Sequence, residues 1–153
     1  MILIILQFVL PTYISFNGIY PNFILIFIVF IAINKGSMKG QLTGFLYGLT
    51  WDFLSTDIFG LKTLAFTISG YLAGQFNRKL NKEQPLTQII VTGICLIITH
   101  ALTSLVHMIM PEEIISSPFE LTHFVWISII LNLAVTPFIF KLLASVRKKY
   151  RSY

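Results

Sequence analysis

Six apolar stretches run along the chain: about Met1–Phe16, Asn22–Asn34, Ser37–Leu54, Leu61–Phe76, Pro85–Met110 and Leu121–Val146. Runs of this length without strict alternation predict helices rather than strands. A helix needs roughly 20 residues to cross the hydrocarbon of a bilayer. The second and fourth stretches are shorter, so they are expected to extend into the interface or to be locally distorted. Turn chemistry marks the breaks. Asn17-Gly18 and Pro21 part the first pair, with Pro21 suited to a first helical position. Lys35-Gly36 and Phe59-Gly60 turn the chain into the third and fourth stretches, and Asn81 to Pro85 is a polar link. Pro111 to Pro118, with two glutamates and two serines, reads as a short external loop.

The third stretch carries the strongest pattern. Gly36, Gly40, Gly44 and Gly48 recur every four residues and lead into Asp52 at the same spacing. Residues four apart stack on one helix face. The glycines therefore make a groove bare of side chains, about 18 Å long at 1.5 Å per residue. In lipid, close backbone approach holds helices together where hydrophobicity cannot. The fourth stretch has a matching stripe of Thr63, Thr67, Gly70 and Gly74, which is expected to lie against that groove. Asp52, at the outer end, is expected to accept hydrogen bonds from the following loop or to touch a partner.

Composition places the chain in a membrane. It is 56% hydrophobic and 11% charged, against about 25% charged in soluble domains. At 153 residues it fits one transmembrane helical domain, residues 1–153, with a short basic tail at 147–153. The first stretch lacks both a preceding basic residue and a small-residue cleavage site, so it reads as an uncleaved helix. Charge then orients the bundle. Lys35, Lys39, Arg78, Lys79, Lys82, Lys141, Arg147, Lys148, Lys149 and Arg151 share one side if six helices span. By the positive-inside rule that side, with both termini, is cytoplasmic. Asp52, Asp57, Glu112, Glu113 and Glu120 fall opposite. The basic tail is expected to meet the anionic inner leaflet or a cytoplasmic partner. This distribution accounts for the net positive charge without nucleic acid.

Polar groups at membrane depth need partners. His100, Thr103, Ser104 and His107 form a helical stripe in the fifth stretch, read as satisfied between helices or lining a small pocket. With His123 as the only further imidazole and no ligand motif, no metal is expected. Asn132 precedes Pro137 by five residues, and the proline frees the carbonyl of Leu133. A kink is expected there, with Asn132 or Thr136 re-satisfying backbone groups. Cys95 reads as an inert buried thiol. No nucleophile elbow, Walker-type loop or deep carboxylate pair is present, so neither enzyme activity nor a cofactor is expected.

From Pro21 to Gly74 the chain resembles the MreD family of rod shape-determining membrane proteins. The resemblance rests on Pro21, Gly36, Gly40, Gly44-Phe45, Gly48, Asp52, Gly60-Leu61 and Tyr71-Leu72-Ala73-Gly74, with the Asn132 to Pro137 spacing in the last helix. It implies an all-α bundle of about six transmembrane helices, similar to the S-component fold of energy-coupling-factor transporters. It also implies a non-enzymatic scaffold of the bacterial cell-elongation machinery in the cytoplasmic membrane. The implied partners are an MreC-like single-span protein, MreB, and RodA with its transpeptidase. The alternative is a vitamin-binding S-component, for which Trp51, Asp52, Asp57, His107 and Trp126 would be the pocket candidates.

Overall fold

A hydrogen-bonded asparagine pair, Asn22 and Asn132, sets the level at which the shortest of the described helices begins. The computed structural model describes Gln7 and residues 21–55, 58–76, 84–109 and 118–151, with backbone alone at 107, 118–124 and 147–151. Among these residues there are five helices and no strand: α1 Phe23–Lys35, α2 Ser37–Leu54, α3 Leu61–Gln75, α4 Pro85–Ile109 and α5 Pro118–Arg151. The first apolar stretch lies outside the described residues except for Gln7. So do Asn17-Gly18, Asp57, the Arg78–Lys82 link and Glu112–Glu113.

Asn22 caps α1, its Oδ1 accepting from Leu25 N at 3.0 Å, as N-cap asparagines do. Pro21 therefore stands outside the helix, not at its first position, because the asparagine side chain has fixed the start. Two distant side chains complete this end. Asn22 N donates to Asn132 Oδ1 at 2.7 Å. Phe23 N donates to Gln7 Oε1 at 2.8 Å, and Gln7 Nε2 donates to the Pro21 carbonyl at 3.0 Å. Helix starts leave N–H groups without intrahelical acceptors, and here neutral amides supply them inside the bundle.

Helix α1 is the centre of the core. Ile24, Leu25, Ile26, Ile28, Val29, Phe30, Ala32 and Ile33 are all buried, and a helix apolar all round belongs inside. It touches α2, α3, α4 and α5. It runs parallel to α5, because Asn22 meets Asn132 and Phe30 meets Phe140, eight residues on in each helix, edge-to-face at 5.3 Å.

Helix α5 is longer than the sixth apolar stretch at both ends. It starts at Pro118, a residue preorganised for a first helical position, and continues through the basic run to Arg151. Lysine and arginine are good helix formers, so nothing local stops it there. The basic residues 147–151 are thus helical, continuing α5. The helix also passes through Pro137. Thr136 Oγ1 donates to the Asn132 carbonyl at 2.7 Å, one residue before the carbonyl that the proline leaves free.

Polar side chains are buried alongside the apolar core, while large apolar side chains are exposed. Asp52, Ser69, Thr92, Thr99, Asn132 and Thr136 are buried, while Met38, Leu42, Phe53, Leu105, Met108 and Phe138 are exposed. Pro85–Val106 and Val125–Val146, each of 22 residues, are long and apolar enough to cross a membrane. The all-helical architecture and this surface fit a membrane protein.

Asn132→Leu should leave Asn22 N without its acceptor in the bundle interior. The expected cost is about 1–3 kcal/mol, read as a lower unfolding midpoint in detergent. A wild-type midpoint would show that the pair is not needed.

Candidate functional site

Among the described residues, helices α2 and α3 meet backbone to backbone. Helices α2 and α3 are antiparallel and matched in steps of about four residues. A Cβ on Gly40 would strike the Gly70 carbonyl, one on Gly44 would lie 2.7 Å from the Phe66 carbonyl carbon, and one on Gly48 would lie 2.5 Å from Thr63 Cα. At the far end a Cβ on Gly74 would meet Ser37 and the Gly36 carbonyl carbon, the latter at 2.7 Å. Gly40, Gly44, Gly48, Gly70 and Gly74 are buried. The stripe Thr63, Thr67, Gly70, Gly74 thus lies along the groove of α2.

Gly36 and Gly60 have a different role. No atom lies within 4 Å of a Cβ built on either, but both have positive φ, +91° and +92°. That conformation is open to glycine at little cost. Gly36 reverses the chain between α1 and α2, its N–H donating to the Ala32 carbonyl at 2.8 Å. Gly60 opens α3 as its N-cap and has no side chain to do the capping.

Asp52 supplies what Gly60 lacks. It is 3% exposed. Its Oδ2 accepts from Gly60 N at 3.0 Å, Thr63 N at 2.9 Å and Thr63 Oγ1 at 2.5 Å. Its Oδ1 accepts from Lys62 N at 3.2 Å. The carboxylate therefore caps α3 from the neighbouring helix, meeting the second and third N–H groups as an N-cap side chain would. Its negative charge also faces the positive end of the α3 dipole. Both oxygens are engaged inside the hairpin.

A second polar seam joins α3 to α4, and its members differ from the expected stripe. Ser69 Oγ lies 3.1 Å from Thr99 Oγ1, Thr99 Oγ1 donates to the Cys95 carbonyl at 2.8 Å, and Cys95 Sγ donates to the Ser69 carbonyl at 3.5 Å. Of the expected stripe, Ser104 is exposed, His100 is half-buried, and Thr103 Oγ1 turns back to the Thr99 carbonyl at 2.9 Å. The buried face of α4 instead runs through Thr92, Cys95 and Thr99. The side chains of His107 and His123 lie outside the described residues. Among the described residues no three His, Cys, Asp or Glu converge as metal ligands.

Of the other aromatic candidates, Trp51 packs against the core and Trp126 is exposed. Asn132 bridges α5 to the start of α1, and Pro137 lies five residues further along α5. The sequence reading passed over Gln7 and Asn22. Their signal was an amide inside or at the edge of an apolar run, where a polar group needs a partner.

Compared with protein families, residues 1–146 match the model described as rod shape-determining protein MreD. No curated protein and no solved structure gives a significant match.

Gly44→Leu should lose at least the 1–3 kcal/mol typical of overpacking, roughly, because the obstacle is backbone and cannot swing away. Gly93→Ala is the control, since its Cβ would meet only the Leu133 side chain at 3.4 Å. Equal unfolding midpoints for the two variants would contradict the close contact.

Asp52→Ala should strip the acceptors from the start of α3, at a cost of about 3 kcal/mol for hydrogen bonds to a charged group. Asp52→Asn, with its oxygen in the Oδ2 position, keeps most of them and should be clearly milder. Hydrogen exchange at Gly60, Lys62 and Thr63 is the local readout, and unchanged protection in Asp52→Ala would rule out the cap.

Proposed function

The chain belongs to the MreD family of rod shape-determining proteins, and from that premise we propose that it is a non-enzymatic, multi-pass scaffold in the bacterial cytoplasmic membrane. In this reading it supports peptidoglycan synthesis during elongation by holding a partner of the MreC type. MreB, RodA and the RodA-associated transpeptidase are the further members of the assembly. The chain is taken as one transmembrane domain with about six spans and both termini cytoplasmic.

The observation that carries the reading is the α2–α3 hairpin, where glycine backbones pack face to face and Asp52 fastens the turn. A surface so fixed suits a part that positions other proteins. The parallel α1 and α5 are consistent with an even number of crossings between their starts. Lys35, Lys39 and Lys141 are exposed near one end of the bundle, which supports a cytoplasmic placement of that end. The vitamin-binding alternative draws no support from the family match.

Depletion of the protein from its host should turn elongated cells round or swollen, and re-expression should restore their shape. Depleted cells that keep their shape but require an external vitamin would overturn the scaffold reading in favour of a transporter.

A further inference from the structure

We propose that Lys62 and His100 form a site for the phosphate of an anionic lipid headgroup, on the side of the membrane opposite the other basic residues. In the six-span reading Lys62 alone, of the eleven lysines and arginines, belongs to that side. Residues 62, 66, 69 and 73 share one face of α3 by their helical offsets. Phe66, Ser69 and Ala73 are buried, and Ser69 Oγ lies 3.1 Å from Thr99 Oγ1, so this face turns toward α4. Lys62 stands seven residues outward of Ser69, and His100 one residue outward of Thr99. The Lys62 charge lies within electrostatic range of the His100 imidazole.

Both side chains lack a partner where one is needed. Each is half-buried. His100 lies six residues inside the outer end of the apolar span Pro85–Val106, about 9 Å at 1.5 Å per residue. Ionisable groups at membrane depth pair with one another or mark a binding site. Among the described residues Lys62 makes no ion pair, and neither side chain makes a hydrogen bond. Asp52 does not fill the need, because its oxygens are taken by Gly60, Thr63 and the Lys62 backbone.

The chemistry of the two groups selects the ligand. An ammonium presents three donors and no acceptor, and an imidazole supplies at least one donor or acceptor more. A phosphate ester has several oxygens to meet them, with charge-assisted bonds. Depth selects its source. Lys62 lies about 9 Å outward of His100 along the helices, level with Val106 at the end of the α4 span, where headgroup phosphates lie. Ser104, exposed one turn outward of His100, adds a hydroxyl. Ile97, one turn inward and 57% exposed, gives acyl chains an apolar surface below the site.

The inference goes beyond the scaffold reading and rests on membrane placement alone, so each can fail without the other. Nuclear magnetic resonance of isotope-labelled histidine in the full chain, in dodecyl maltoside, reads the site through the His100 signal, assigned with His100→Asn. Dioctanoyl-phosphatidylglycerol should shift that signal saturably. Lys62→Gln keeps the backbone donor to Asp52 and should weaken the apparent affinity about fivefold, as expected for one cation near an anionic lipid surface. Lys39→Gln, which removes an exposed lysine near the start of α2, should leave the affinity unchanged. Inorganic phosphate at the same concentration separates the sources. No shift with it supports a lipid site, and equal saturation would overturn the lipid assignment in favour of a free anion. A His100 signal that ignores both probes, as an ion pair within the chain would produce, overturns the proposal. So does an equal response in Lys62→Gln.

Discussion

Close approach of the α2 and α3 backbones is the contact on which the rest of the arrangement leans. Lipid tails are as apolar as leucine, so two helices gain nothing by hiding apolar side chains from them. What remains is packing, weak Cα–H···O contact and hydrogen bonding. Removing side chains at Gly40, Gly44, Gly48, Gly70 and Gly74 lets these act at short range along the whole hairpin. The same removal costs helix propensity at each glycine, roughly 1 kcal/mol relative to alanine. The helices form nonetheless because hydrocarbon offers the backbone no alternative acceptors.

A second constraint is the shortness of α1. At 13 residues it covers about 20 Å, less than the ~30 Å of a hydrocarbon core. Its start lies within the bundle, and its free N–H groups are met there. Gln7 and Asn132 meet them from opposite ends of the chain. A carboxylate in their place would favour the helix dipole but would carry a buried charge, and neutral amides avoid that desolvation. Asp52 faces the opposite balance. Four donors surround it, enough to hold a charge that two amides could not satisfy as fully.

The helices α2 and α3 were legible because their signals are local. A four-residue glycine spacing defines a helix face whatever the tertiary structure, and the matching stripe from Thr63 to Gly74 named its partner. Asp52 as an acceptor for the next helix followed from its place at the end of that face. The links from Gln7 to Phe23 and from Asn132 to Asn22 were not legible, since they join residues 16 and 110 positions apart. Helix spacing says which residues share a face and not which distant face they meet. The polar seam of α4 was misread for a related reason. The stripe drawn through the histidines and the one through Thr92, Cys95 and Thr99 are both helical, and only packing against Ser69 decides which is buried.

These two polar devices also determine what the membrane-embedded surface can present. Asp52, Asn22, Asn132, Ser69, Thr99 and Thr136 are all bonded within the bundle. Their polarity is spent on fixing helix starts and helix pairs. A helix arriving from a partner would meet apolar rows such as Met38 to Phe53 on α2 and whatever shape the glycine hairpin imposes on them. Recognition on such rows would have to come from fit, since apolar contact alone does not distinguish a partner from lipid. A hairpin packed on backbone has few rotamers to adjust, so its outer contour is set by the helix axes themselves. Close packing at Gly44 and at the Asp52 cap is thus the physical link between an inward-facing sequence pattern and the outward-facing role proposed above.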